Sequence, residues 1–249
     1  DINNSLDLGK RLKGKVFDCV FHFAASTVSE HSINNPDYYH RNNFIATKEL
    51  IKVLLDGGNF NFIFSSSASI YGNPDTSIIN ETHPKRPITP YGISKLECEN
   101  YLAEISNKTN FNARSLRYFN AAGASKSKNI GEMHLPETHL IPNIFNAILN
   151  SNLEFEIFGT DYNTFDGTCI RDYIHVDDLA EAHYLAYLNL NDGLPYDTFN
   201  LGNGEGFSVL EILNACQKVS GAKIKYKFSD RRRGDVDKLI SNSEKAKNI

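Results

Sequence analysis

Apolar residues follow two alternating rhythms along the first half of the chain. Runs rich in β-branched and aromatic residues, "VFDCVFHFAA", "FNFIFSSS" and "NARSLRYFN", predict strands, whereas "NFIATKELIKVLLDGG" and "PYGISKLECENYLAEIS" carry apolar positions at helical spacing. Such alternation predicts parallel strands joined by helical crossovers, because only a crossover returns the chain to the same edge of a sheet. Residues 1–123 therefore read as a doubly wound parallel α/β domain. After "AAGAS" the pattern loosens into polar "KSKNIGEMHLPETH" before "LIPNIFNAILN" resumes helical spacing, so residues 124–249 read as a smaller α/β lobe. Within it "FEIFG", "DYIHV", "TFNLG" and "IKYKF" predict strands, and "DDLAEAHYLAYLNL" and "SVLEILNACQKVS" predict helices with Asp177 and Ser208 as N-caps.

The totals narrow the class. A chain of 249 residues with 41% hydrophobic and 22% charged residues can bury a large core. No apolar run approaches the roughly 18 residues of a membrane helix, and "DINNSLDLGKRLKG" has no signal-like apolar stretch, so the expected location is cytoplasmic. Cys19, Cys98, Cys169 and Cys216 are scattered singly, without the pairing of a zinc site or the density of a disulfide scaffold, and no metal site is expected. A net charge of -4 argues against a general nucleic-acid or membrane surface, although "RRR" at 231–233 can receive a local anion. The sequons at Asn3, Asn80 and Asn107 read as chance.

A nucleotide-binding domain of this kind usually opens with a strand, a glycine-rich turn and a helix that together hold a pyrophosphate. No such opening is present, and "GNGEGF" at 202–207 comes too late to serve and reads as a structural turn. The chain is accordingly expected to start inside a domain and, alone, to bind a dinucleotide poorly or not to fold.

Candidate chemistry centres on "TPYGISK", residues 89–95. Tyr91 and Lys95 at i and i+4 of a predicted helix share one face, and an ammonium near a phenol would lower the phenol's pKa from about 10, giving a base useful near neutrality. With 12 tyrosines in the chain about one such spacing arises by chance, so the pair needs support from its neighbours. "FIFSSSASIYG" places three serines at the end of an apolar strand, the edge where open parallel sheets bind ligands, although such a run taken alone reads more readily as a turn that satisfies its own backbone. His22 in "VFHFAA" reads as a core histidine and His175 in "DYIHVDD" as a strand-to-helix junction residue.

"FHFAAS", "FSSSASIYG", "PYGISK", "RYFNAAGA", "FGTDYNTFDGTCIRDYIHVDDLAEAH" and "RRRGD" occur in this order across nearly the whole chain. In order and spacing the chain resembles the UDP-glucose 4-epimerases of the extended short-chain dehydrogenase/reductase superfamily. That resemblance implies a Rossmann-like fold, here without its first strand and glycine-rich turn, an NAD cofactor, a UDP-sugar substrate and a homodimer built on the helices at "FIATKELIKVLL" and "KLECENYLAEIS". It implies that Ser67, Tyr91 and Lys95 are the catalytic serine, the tyrosine base and the cofactor-holding lysine. Asp1 and Ile2 match the pair beside the adenine, Phe23, Ala24, Ala25, Ser26 and Thr27 the loop along the cofactor, and Asn42 and Phe119 two further cofactor contacts. Asn120, Leu140, Phe158, Arg171, Arg232 and Asp235 match positions that hold the UDP-sugar, with Ser67 and Tyr91 also touching it.

The mechanism so implied is oxidation at sugar carbon 4, rotation of a bound 4-keto sugar, and return of the same hydride to the opposite face. Two departures bear on substrate choice. His139 stands where some members have asparagine, and Leu239 occupies a position that is tyrosine in some members and smaller in others, leaving N-acetylated sugars open. Two rival readings remain: a sugar-nucleotide 4,6-dehydratase, which would need an acidic pair where this chain has Ala68 and Ser69, and a non-catalytic nucleotide-binding protein of the same fold.

Overall fold

The structure is a computed structural model and describes residues 1–127, 129–150 and 153–249; Lys128, within the polar stretch after "AAGAS", lies outside the described residues. In chain order the elements are α1 (Ser5–Leu12), β1 (Val20–His22), α2 (Ser29–Asn34), α3 (Pro36–Tyr39), a π-helical stretch His40–Ile45, α4 (Ala46–Asp56), β2 (Asn61–Ser67), a 3-10 turn Ala68–Tyr71 and β3 (Ile78–Ile79). There follow α5 (Pro90–Lys108), β4 (Asn112–Tyr118), β5 (Asn120–Ala122), α6 (Leu140–Leu149), β6 (Phe155–Phe158), β7 (Ile170–His175) and α7 (Val176–Leu188). The chain closes with β8 (Tyr196–Leu201), β9 (Gly206–Ser208), α8 (Val209–Ser220), β10 (Tyr226–Ser229), β11 (Lys238–Ser241) and α9 (Glu244–Lys247).

One sheet runs β1-β2-β4-β8 with all strands parallel. Side chains alternate across it as the pleat requires. Phe62 and Phe64 of β2 pack with Leu50, Ile51 and Leu54 of α4 and Leu102 of α5. Ile63 between them packs on the other face with Leu116, Leu179 of α7 and Phe199. Both faces are therefore covered by helices, which is why these strands read as nearly continuous apolar runs. β8 and α7 arise after residue 124 but belong to this sheet and its covering layer, so the second sequence region is interleaved with the first.

A second sheet, β3-β11-β7-β5 with β9 antiparallel to β7, lies beyond the carboxyl ends of the first, and β6 pairs with β10 separately. Ile144 of α6, Ile157 of β6 and Leu213 of α8 form the core there. The two sheets are tied by Asp172 of β7. Its carboxylate accepts from the amides of Asn203 (2.7 Å), Gly204 (3.0 Å) and Ser241 (3.0 Å). The amides at the head of "GNGEGF" thus hold a protein carboxylate, in keeping with a structural turn.

One expected cap is placed differently. Ser208 caps α8 and completes a capping box with Glu211. For α7, however, the cap is His175 and not Asp177: His175 Nδ1 accepts from the Asp177 amide at 3.1 Å, while the Asp177 carboxylate accepts from the Lys126 amide at 3.2 Å. Asp177 lies inside the first turn, where a carboxylate still favours the helix dipole.

Candidate active site

Ser67 ends β2 and begins the 3-10 turn, its hydroxyl accepting from the Ser69 amide at 3.2 Å and the Ser69 hydroxyl at 3.0 Å. Phe119 follows β4 directly, so both residues sit at the carboxyl edge of the parallel sheet. Tyr91 is in the first turn of α5, whose cap Thr89 accepts from the Gly92 amide at 3.1 Å and whose Pro90 supplies a preset φ at the first helical position. The Tyr91 amide is held by Ser32 Oγ at 3.2 Å. Gly92 is required by close approach: a Cβ there would lie 2.7 Å from the carbonyl oxygen of Ser69. The absent side chain lets the helix start against the turn that carries Ser67.

Lys95 lies one turn further along α5, buried, and donates to the carbonyl of Ser65 at 2.7 Å. Its ammonium is 4.9 Å from the Phe64 ring centroid and 5.8 Å from that of Tyr91. The expected depression of the Tyr91 pKa by this ammonium is not found. Burial pushes the phenol above its ordinary value and Ser67 offsets part of that rise, while the Lys95 ammonium donates a hydrogen bond to the Ser65 carbonyl of β2. Burial also brings Lys95 itself down to about 8.

Below this edge a charged cluster fixes α5 against the sheet. Glu99, four residues after Lys95, accepts from Ser66 Oγ (2.6 Å) and from Arg117 Nε (2.9 Å) and Nη2 (2.7 Å), with both charged side chains 1% exposed. Arg117 also donates to Tyr71 Oη at 2.8 Å, and Tyr71 donates to Asn200 at 2.6 Å. Tyr91, Lys95 and Glu99 thus form one stripe on α5, anchored at its buried end.

Three cavities meet at the edge. One of about 330 Å³ is lined by Ser67, Tyr91, Phe119, Asn120, Arg171, Arg232 and Asp235, with His139 and Leu239 in its wall. A second of about 700 Å³ is lined by Phe23, Thr27, Ser67, Tyr91, Lys95 and Phe119. The third, about 630 Å³, joins Asn120, Leu140, Phe158, Arg171, Arg232 and Asp235. In it Asp235 stands between two guanidiniums, 3.6 Å from Arg171 and 3.1 Å from Arg232, while Arg232 lies 5.1 Å from the Phe158 ring centroid. Paired forks of this kind suit the oxygens of a diphosphate, and the apolar wall suits a heterocycle.

The remaining predicted residues lie outside these three cavities. Ser26 and Asn42 meet each other, Asn42 Nδ2 donating to Ser26 Oγ at 3.1 Å, and Asn42 Oδ1 accepts from Asn3, which also donates to Asp1. Ile2, Ala24 and Ala25 adjoin these residues in the chain and line none of the three cavities. Sequence reasoning missed Asn43. It is buried and clamps the 23–27 loop, donating to the Ser26 carbonyl (2.9 Å) and Ser94 Oγ (3.1 Å) and accepting from the Ser26 amide (2.8 Å). It sits in the π-helical stretch, whose extra residue turns the Asn42-Asn43 pair towards the loop. The available signal was a doubled asparagine inside an apolar helical run. Glu99 and Arg117 were also missed, although an arginine inside the strand pattern "NARSLRYFN" was a visible anomaly.

Residues 1–202 match the model of the NAD dependent epimerase/dehydratase family. The chain is 41% identical over all of its length, and 76% of the relative's, to a UDP-glucose 4-epimerase of Lactobacillus helveticus. It is 46% identical over 93% of its length, and 70% of the relative's, to that of Streptococcus mutans. Among solved structures, the UDP-glucose 4-epimerase of Stenotrophomonas maltophila with bound NAD and formylated UDP-arabinopyranose is similar with a TM-score of 0.93 at 36% identity, covering 100% of this chain and 74% of that one. That of Bifidobacterium longum with NAD+ and UDP is similar with a TM-score of 0.93 at 34% identity, covering 100% and 75% respectively. With its parallel sheet, its tyrosine and lysine at the sheet's carboxyl edge and these matches along its length, the chain belongs to the NAD dependent epimerase/dehydratase family.

Proposed function

We propose that the chain catalyses reversible NAD-dependent epimerisation at carbon 4 of a UDP-hexose, interconverting UDP-glucose and UDP-galactose. The observation that carries this reading is the 330 Å³ cavity, in which a phenol and a serine hydroxyl face the same space as two guanidiniums. A sugar linked to a diphosphate suits that cavity, with its phosphates at Arg171 and Arg232 and its ring at Tyr91.

The cavity of about 700 Å³ fits the nicotinamide end of NAD by the chemistry of its donors, Phe23 and Phe119 offering ring faces and Lys95 an ammonium for ribose hydroxyls. When bound there, the cofactor supplies reversible hydride acceptance. Tyr91 takes the proton of the carbon 4 hydroxyl through its phenolate oxygen, and Ser67 accepts or relays that proton from beside it. Lys95 would hold the cofactor ribose with the ammonium donors that the Ser65 carbonyl does not take, and from there support the phenolate. Arg171 and Arg232 grip the diphosphate while the sugar ring turns over, so a 4-keto sugar stays bound and can be reduced on its other face. Asp235 keeps both forks aimed. The positions just after Ser67 are Ala68 and Ser69, which offer no carboxylate to protonate a departing hydroxyl, so epimerisation is favoured over dehydration.

The test is UDP-galactose incubated with the NAD-loaded protein. A product of unchanged mass that is UDP-glucose by proton NMR is expected, and the same reaction by Tyr91→Phe at parent rate would refute the assignment.

The protein acts as a homodimer that packs α4 and α5 against their copies, in the cytoplasm, where its four free cysteines stay reduced. No helix of the described residues is long and apolar enough to cross a membrane. Light scattering giving a monomer mass would refute the dimer.

A further inference from the structure

A cluster on the loop before α6 holds two side chains, His134 and Glu137, that the chemistry above does not use. We propose that His134, Glu137 and His139 form a binding site for one divalent cation of the zinc type, set in the rim of the cleft. Each residue offers one ligand atom, and these atoms lie within 4.8 Å of one another. Tetrahedral zinc with bonds of about 2.1 Å places its ligands roughly 3.4 Å apart, so side-chain rotation alone closes the site.

Two features separate this cluster from an ordinary ion pair. The first is His134. Its Nδ1 is buried without a hydrogen-bond partner among the described residues, a costly arrangement that a metal bond would satisfy. A simple pairing of His139 with carboxylates gives no reason for a second imidazole to face inwards. His134 and His139 nonetheless have ring centroids 5.2 Å apart. The second feature is the orientation of Glu137. Its Oε1 accepts from the amides of Thr138 (2.7 Å) and His139 (2.8 Å). Hydrogen bonds of this outer kind hold a ligating carboxylate in place.

Glu132 also contacts His139 Nδ1. Two imidazoles with carboxylates favour zinc, cobalt or nickel over magnesium or calcium, which prefer oxygen alone. The three residues come from "HLPETH", a spacing too irregular for a helix face, so only the fold of the loop brings them together. His139 also lines the cavities on the sugar and nucleotide sides, so the cation would sit in the wall of the cleft. The site does not depend on the identity of the sugar nucleotide.

Titration calorimetry of the metal-free, NAD-loaded protein with zinc chloride tests it without any substrate. One saturable site is expected, weakened at least about tenfold by His134→Ala and by Glu137→Gln, with no comparable site for magnesium. Zinc binding that is absent, or unchanged by both substitutions, would overturn the proposal. Cobalt loading of the unmodified protein gives a readout that does not depend on a variant folding: two imidazoles should show paramagnetically shifted proton signals, and no shifted imidazole would equally overturn it.

Discussion

Tyr91 carries the proton transfer in this account, and its surroundings dictate what its loss should do. A positioned base is worth about 10²–10⁴ in rate, so Tyr91→Phe should lower kcat by that factor and leave UDP affinity, here assigned to Arg171 and Arg232, nearly unchanged. Single-turnover kinetics with separate UDP titration reads both. Lys95 makes a prediction about pH. Burial brings it down to about 8 from an ordinary 10.5, so between these values the unfolded chain holds a proton that the folded chain lacks. The folded state therefore gains stability as pH rises through that window, roughly 3 kcal/mol in all at about 1.4 kcal/mol per pKa unit. The difference in urea midpoint between the parent and Lys95→Met should move in the parent's favour from pH 8 to 10.5; a constant difference would contradict it. At this scale the pairing of Tyr91 with Lys95 was legible, since i and i+4 share a helix face. The direction of the Tyr91 pKa was not, because it follows from burial that no spacing reveals.

Among the elements, α5 sets the site, and its register depends on two contacts. Glu99 with Arg117 anchors its middle, and replacing Glu99 by Gln leaves a buried guanidinium without its charge partner. Breaking a buried pair in this way costs about 3–5 kcal/mol, so Glu99→Gln should lower the unfolding free energy by that order and reduce kcat as Tyr91 loses its placement. Chemical denaturation beside steady-state kinetics checks both, and an unchanged denaturation midpoint would show that the pair is not structural. At the start of the helix, Gly92→Ala would push α5 from Ser69 and separate Tyr91 from Ser67. A lower kcat with unaltered UDP affinity is expected, measured by the same kinetics. The long elements were readable because their apolar periods are strong. The edge pieces β3, β9 and β11 were not, since two to four residues carry too little pattern, and their strand character comes from partners distant in the chain. The cap of α7 was misplaced because an aspartate is the commoner cap, whereas here the imidazole of His175 reaches the same amide.

For the whole molecule, catalysis requires that two sheets present their edges to one another. The first supplies Ser67, Phe119 and the helix with Tyr91 and Lys95; the second, with its loops, supplies Asn120 and the Arg171, Arg232 and Asp235 cluster. The alternating pattern made the parallel strands of the first sheet legible. It did not reveal that β8 crosses back to pair with β4, because a strand's partner is set by topology and not by its own residues. The most direct measurement is proton NMR and mass spectrometry of UDP-glucose incubated with the NAD-loaded protein and its Tyr91→Phe variant. The account predicts conversion to UDP-galactose at unchanged mass by the parent and loss of that conversion in the variant. A product lighter by one water, or equal turnover by the variant, would contradict it.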